Sequence, residues 1–254
     1  MSLRIIEWPD FIKAGSNPGP SAMTIGVFDG VHLGHQALIK RIVSVGPNPT
    51  VVTFRENPKK IVSPGNFSGD IFSLRQKLDV FEQMGVKRLI LIDFSEEFSK
   101  LNGREFLNLL EDRGKMAFLV IGSNFRCGYR QDTGAENIES MNRRKGIPTE
   151  VIPPVAIPLE SGKEPVNSSR IRSAIISGDI RTASALMGRN FELDISDIGR
   201  KELVYDICSA HRIIPSDGQY RVIVKPGRMN AAAIIQNGKL RLEPEQQAES
   251  LEFI

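Results

Sequence analysis

The chain of 254 residues has little sulfur and little histidine: two cysteines, Cys127 and Cys208, and three histidines. Two cysteines make neither a disulfide framework nor a zinc site, although one bridge between them stays open. Charge of either sign is in short excess: 33 Lys and Arg face 30 Asp and Glu, a formal charge of +3. That surplus is too small to imply a nucleic-acid or membrane surface, and it suits a small anionic substrate. No apolar run is long enough to span a bilayer. The stretch Met1 to Phe11 carries Arg4, Glu7 and Asp10 and lacks the apolar segment of a secretory signal, so a soluble cytoplasmic protein is expected. Internal repeats and low-complexity segments are missing. What remains is an ordinary globular composition, 41% hydrophobic and 25% charged, long enough for one large or two modest domains.

One stretch organises the rest: Gly26-Val27-Phe28-Asp29-Gly30-Val31-His32-Leu33-Gly34-His35. The apolar run Ala22 to Phe28 predicts a buried strand, and Gln36 to Val43 predicts an amphipathic helix. The segment is therefore a strand-to-helix turn, where a parallel α/β sheet places its ligand. Gly26, Gly30 and Gly34 let the backbone bend and let a ligand come close. Free amides and the helix dipole favour an anion there. His32 and His35, three residues apart, can donate to the same phosphate. A glycine-containing turn carries little weight alone; the histidine pair makes it specific.

Around this turn strands and helices alternate. Further strands are expected at Leu3 to Trp8, Thr50 to Phe54, Leu89 to Phe94, Ala117 to Ile121 and Glu150 to Ile152. Helices are expected from Ser73 to Gly85, after Asn102, from Glu136 to Lys145, from Asn167 to Gly178 and from Ile180 to Met187. Gly15 to Pro20, Pro47 to Pro49 and residues 55 to 72 read as loops. The pattern is a Rossmann-like α/β parallel sheet. Beyond residue 187 it changes to short alternating runs, such as Tyr220 to Val224 and Lys239 to Leu242, which predict a small β domain. The expected division is 1–185 and 186–254.

Three more segments carry chemistry. Val166-Asn167-Ser168-Ser169-Arg170-Ile171-Arg172 offers hydroxyls at a helix start and an arginine one turn on, a phosphate-binding set. Gly122-Ser123-Asn124-Phe125-Arg126-Cys127-Gly128 follows a strand, with Asn124 able to hydrogen-bond a ligand and Phe125 able to pack under a planar ring. Thr53-Phe54-Arg55-Glu56-Asn57-Pro58 follows another.

The turn resembles the His-x-Gly-His signature of the nucleotidyltransferase superfamily, in the form carried by prokaryotic FAD synthetases, which transfer AMP from ATP to FMN. Val166 to Arg172 is similar to that family's Ile-Ser-Ser-Thr-Arg-Ile-Arg, with Val166, Asn167 and Ser169 replacing Ile, Ser and Thr. Gly122 to Gly128 is similar to its Gly-x-Asp/Asn-Phe-x-Phe-Gly segment, with Cys127 where an aromatic is usual, implying a looser flavin pocket. Thr53 to Pro58 departs from its Thr-Phe-Glu/Asp-Pro-His-Pro, with Asn57 in place of histidine; Arg55 is expected to return positive charge near the FMN phosphate. The resemblance covers about residue 20 to about residue 185, with the motifs in family order.

The resemblance implies that His32 and His35 are catalytic. It places Gly26, Phe28, Asp29, Gly30, Gly34, Asn124, Ser168, Ser169 and Arg172 on ATP and its phosphates. It places Phe54, Asn57, Pro58, Phe125 and Arg126 on the flavin. Mg²⁺ would come with ATP, without protein metal ligands, and FMN and FAD would be substrate and product. The small-molecule partners are ATP and FMN, with no nucleic acid and no membrane; the sequence assigns no oligomeric state. In most of the family a riboflavin kinase barrel follows, marked by Gly-x-Pro-Thr-Ala-Asn. That string does not occur between 185 and 254. Ala185 to Arg189 and Ile214 to Tyr220 are barrel-like, so the tail reads as a shortened, inactive kinase remnant. Two other readings stay open: a His-x-Gly-His nucleotidyltransferase for phosphopantetheine or nicotinamide mononucleotide, and a non-catalytic flavin- or nucleotide-sensing module.

Overall fold

The computed structural model describes residues 2–14, 19–46, 48–159, 162–201 and 204–254. Gly15 to Pro18 of one expected loop and Pro47 of another lie outside the described residues. By their contacts the residues form two units. The first is Met1–Phe28, Gly34–Pro64 and Leu78–Pro154; the second is Asp29–Leu33, Gly65–Lys77 and Val155–Ile254.

The strands of the first unit are β1 (Arg4–Glu7), β2 (Ser21–Ile25), β3 (Thr50–Phe54), β4 (Arg88–Ile92), β5 (Met116–Gly122), a two-residue pair β6 (Arg126–Cys127) and β7 (Thr133–Gly134), and β8 (Thr149–Ile152). Six of them form one parallel sheet in the order β1-β4-β3-β2-β5-β8. β2 and β4 are buried along their whole length, which is why their sequences run apolar without alternating. The order departs from β2 in both directions, to β3 on one side and to β5 on the other. That reversal puts a crevice at the carboxyl ends of β2 and β5, where open α/β sheets bind ligands. The two strands feed the histidine turn and the Ser123-Asn124-Phe125 loop.

The helices along this stretch of chain are α1 (Trp8–Ala14), α2 (Leu33–Val45), α3 (Lys59–Val62), α4 (Leu74–Gln83), α5 (Glu96–Lys100), α6 (Gly103–Gly114) and α7 (Ala135–Arg144). α1 begins where the sequence pattern ends a strand. Trp8 is drawn into the helix by packing, its ring 5.4 Å from Phe11, 5.3 Å from Phe98 and 5.9 Å from Phe106. Tertiary contact of this kind overrides a local preference. α6 starts as expected at Asn102, whose side chain accepts from Glu105 N while the Glu105 carboxylate accepts from Asn102 N. Such a reciprocal cap is worth about 1 kcal/mol. α2 starts at Leu33, three residues before the expected Gln36. Gly34 and His35 therefore lie inside its first turn, and His32 directly precedes it.

In the second unit β9 (Ala156–Leu159) and β10 (Gly162–Pro165) form a hairpin, followed by α8 (Ser168–Ile176) and α9 (Ile180–Met187). Asn167 caps α8, accepting from Arg170 N at 2.8 Å. The alternation of strand and helix groups these two helices with the parallel sheet; their contacts group them with the C-terminal strands. Those strands, β11 (Glu192–Asp194), β12 (Arg200–Lys201), β13 (Val204–Asp206), β14 (Gly218–Lys225), β15 (Met229–Gln236), β16 (Lys239–Glu243) and β17 (Ser250–Phe253), make an antiparallel sheet in the order β11-β17-β14-β15-β16-β13-β12. β16 shows the alternation that predicts it, burying Leu240 and Leu242 and exposing Lys239, Arg241 and Glu243. The fold class is thus a Rossmann-like parallel α/β sheet followed by a small β domain. Among the described residues no helix is long and apolar enough to cross a membrane.

Candidate active site

The turn is built on a strained backbone. Phe28 and Val31 both take positive φ, 52° and 36°, which costs non-glycine residues energy and is tolerated where the surroundings fix it. Gly30 has φ +76°, which favours glycine, and a Cβ there would stand a tight 3.0 Å from the Ile71 side chain. Phe28 is fully buried, edge-on to His35 at 5.1 Å and to Phe81 at 5.7 Å. Of Phe28, expected on ATP, the structure places the ring in the core, which leaves its backbone as the part that can meet a ligand.

Asp29 is 4% exposed and Arg172 9% exposed. They form a buried ion pair, and Arg172 Nε also donates to Gly69 O at 3.0 Å. The other Asp29 carboxylate oxygen accepts from Ile71 N at 2.9 Å and Phe72 N at 3.2 Å. Burial pushes the Asp29 carboxyl above its ordinary value, while the Arg172 guanidinium and the Phe72 amide oppose the rise. Both residues were expected on phosphate; each is first committed to the other, because a charge removed from water needs its partner. Ser168 Oγ donates to Asp29 O at 3.1 Å, and Ser169 is exposed in the first turn of α8.

The two histidines differ. His32 is 6% exposed, and burial lowers its pKa to about 4. It is a neutral imidazole at neutral pH, an N–H donor and not a cation. His35 is half-buried against Phe28. Composition and spacing give no access to this difference, since it is set by side chains far away in sequence.

Within the first unit a cavity of about 340 Å³ opens at the strand ends. Phe54, Phe98, Phe106 and Phe125 line it, together with Asn57, Pro58 and Lys59. Phe98 stands edge-on to Phe54 and to Phe106, each at 5.7 Å. Phe98 and Phe106 are absent from the sequence reading of the site; the one available signal was an aromatic residue near a helix start. Asn57 is buried and its Oδ1 accepts from Lys59 N at 3.1 Å. Arg126 lines the cavity with Nε and Nη2 both donating to Gln131 O, at 3.0 and 2.8 Å. Arg55 does not line it. Its guanidinium pairs with Glu7 at 2.6 Å and Asp93 at 2.8 Å, so the charge expected of it near a flavin phosphate is spent on two carboxylates at neighbouring strand ends.

A second, polar cavity of about 440 Å³ is lined by Ser123, Asn124, Glu136 and Asn137 and shares Phe125 and Arg126 with the first. It lies at the start of α7, whose N-cap Gly134 provides no side-chain cap. Cys127, in the apolar cavity, has its thiol pushed up to about 12 by burial and, secondarily, by Asp132. Both cysteines are free. A thiol of that kind is unreactive. Alkylation of the folded protein at pH 8, followed by peptide mass spectrometry, should label exposed Cys208 and leave Cys127 intact; equal labelling of both would contradict the burial.

A parallel sheet with ligand-sized cavities at its carboxyl ends and a histidine turn opening a helix defines an open-sheet α/β protein of the Rossmann-like class. The chain belongs to the FAD synthetase family, whose model matches residues 15–170. It is similar to the bifunctional riboflavin kinase/FMN adenylyltransferase of Buchnera aphidicola subsp. Acyrthosiphon pisum, 28% identical over 178 residues, covering 68% of this chain and 56% of the relative. The protein of the same description from Bacillus subtilis is 28% identical over 177 residues, covering 67% and 54%. The matches thus span little more than half the length of these curated relatives. Among solved structures the fold is similar to that of a macrolide-efflux protein from Streptococcus pneumoniae, with a TM-score of 0.78 and 22% identity over 98% of this chain and 89% of that one. At that identity the likeness is one of fold alone.

Proposed function

We propose that the chain is an FMN adenylyltransferase, a cytoplasmic enzyme that transfers AMP from ATP to FMN and releases pyrophosphate and FAD. The observation that carries this reading is the apolar cavity. Two segments separated in sequence, Phe54 to Pro58 and Phe125 to Gly128, converge on one aromatic-walled space of about 340 Å³, the size and character of a site for a planar heteroaromatic ring. Adenylyl transfer asks the protein for alignment and charge relief rather than covalent chemistry. An FMN phosphate oxygen attacks the α-phosphorus of ATP, and pyrophosphate leaves. His32, as a neutral donor, and His35 would stabilise the charge that develops. Gly26, Gly30 and Gly34 would admit the phosphates. Ser168, Ser169 and Arg172 would hold the triphosphate, with Asp29 orienting Arg172, and Asn124 would hydrogen-bond the nucleotide.

Magnesium supplies charge neutralisation on the phosphates. The ion would be carried in on ATP, held chiefly by the phosphate oxygens. We assign the transfer to residues 1–185 and read 186–254 as a shortened kinase-like β domain without kinase activity. The test is direct. FMN, ATP and Mg²⁺ incubated with the purified chain should yield FAD by chromatography; no FAD would refute the assignment. Riboflavin and ATP without FMN should yield neither FMN nor FAD, and product at a rate comparable to the FMN-fed reaction would restore a kinase to the tail.

A further inference from the structure

The turn that carries His32 is gripped by a segment of the same unit, Gly69 to Gln76, and that segment is held in turn at three places. At its start Asp70 N donates to His211 O at 3.0 Å, and Ile213 N donates to Asp70 O at 2.9 Å. Gly69, at φ +112°, packs so tightly there that a Cβ would stand 2.7 Å from the Arg212 carbonyl carbon. In its middle, Ile71 N and Phe72 N hold the Asp29 carboxylate. At its end Ser73 Oγ donates to Asp194 Oδ2 at 2.5 Å, Arg75 Nη2 donates to Asp194 Oδ1 at 2.9 Å, and Gln76 Nε2 donates to Glu192 O at 2.9 Å. Arg189 reaches the turn itself. Its Nη2 donates to Val31 O at 3.1 Å, and its guanidinium lies over the Phe72 ring at 5.6 Å. Val31 is the residue before His32.

Asp194 is 1% exposed, in a strand where an apolar side chain would cost nothing to bury. A carboxylate there needs several donors to offset desolvation. Those donors come from the gripping segment and from Ser196; against the upward push of burial, Arg75, Ser73 and Ser196 hold the carboxyl well below its usual range. The interaction therefore fixes position at least as much as it adds stability.

We propose that the antiparallel β domain is a brace for the histidine turn, with Asp194 and Arg189 as positioning residues that hold Asp29–Leu33, and through it His32, in place for adenylyl transfer. This rests on the FMN adenylyltransferase reading. It gives the tail a part in the reaction without any kinase chemistry of its own.

The test uses the full chain with Asp194→Asn, Arg189→Met and Arg189→Lys. Asp194→Asn keeps shape and loses charge; Arg189→Met keeps an apolar stem and loses the donor to Val31. Each should lower kcat about 10- to 100-fold, the usual effect of a slight misplacement of catalytic groups. FMN affinity, read by fluorescence quenching, should not change, because the apolar cavity is lined by the first unit alone. Arg189→Lys should recover part of the loss. A kcat equal to wild type overturns the brace, as does a fall that merely follows the melted fraction at the assay temperature. If Arg189→Met does not fold, Arg189→Lys and Asp194→Asn are judged by the same criterion. A wild-type chain that makes no FAD sinks the functional reading instead. The brace is then read by amide exchange at His32, Ile71 and Phe72: at least tenfold faster exchange in Asp194→Asn supports it, and unchanged exchange overturns it.

Discussion

Arg172→Met should lower the folding stability of the chain by about 3–5 kcal/mol, the cost of leaving a buried carboxylate without its counter-charge. For a chain of this length the melting temperature should fall on the order of 10 °C. The reason is the burial of both partners. Asp29 and Arg172 are each nine-tenths or more removed from solvent, so neither charge can turn to water when the other is lost. The double variant Asp29→Asn with Arg172→Met should recover much of the loss, because an amide still accepts from Ile71 N and Phe72 N and no charge is stranded. Melting curves of the two single variants and the double variant give the coupling directly. If Arg172→Met melts like wild type, the ion pair does not support the fold, and any loss of ATP use then belongs to the triphosphate contact alone.

His32→Ala should lower kcat by on the order of 10²-fold, about 3 kcal/mol, with a smaller change in KM, since a donor aimed at developing charge acts mainly in the transition state. His35→Ala should behave likewise. Normal turnover in a chain lacking both would remove them from the mechanism. The acid behaviour of His32 gives a second reading. Its pKa is lowered from 6.5 to about 4 by burial, so between those values the unfolded chain binds a proton that the folded chain refuses. Stability contributed by the neutral imidazole is therefore present above pH 6.5 and lost as pH falls toward 4, up to about 3 kcal/mol. His32→Gln should flatten that part of the stability curve, measured by denaturant melts between pH 4 and 7. An unchanged slope would place the imidazole in contact with water.

Elements whose reason to form is local were legible in the sequence. The buried strands, the Asn102 capping box and the Asn167 cap follow from apolar runs and cap chemistry, and the histidine turn follows from its own residues. What was hidden depends on partners distant in the chain. The packing of the Phe28 ring depends on Phe81, more than fifty residues away. Arg55 looks like a free cation until Glu7 and Asp93 close on it. Phe98 and Phe106 become cavity walls only once α5 and α6 are placed beside β3. The protonation of His32 belongs to the same class, since burial is a property of the fold. So does the grouping of α8 and α9: a pattern of strand and helix along the chain says nothing of which sheet a helix packs against.

The unit that holds the histidine turn is assembled from three separated pieces of chain. Its key contacts join residues 143 positions apart, Asp29 with Arg172, and 158 apart, Arg189 with Val31. Contacts that far apart in sequence close long loops, and they slow folding. During synthesis the turn at Asp29–Leu33 emerges early and then waits for most of the polypeptide before its anchors exist. A nascent chain halted between Ile152 and Arg172 has all six parallel-sheet strands but an unsecured turn, with the Asp29 carboxylate still in need of its cation. Such a chain has little tolerance for truncation or for relocation of its ends, because the turn to which we assign the chemistry is completed last.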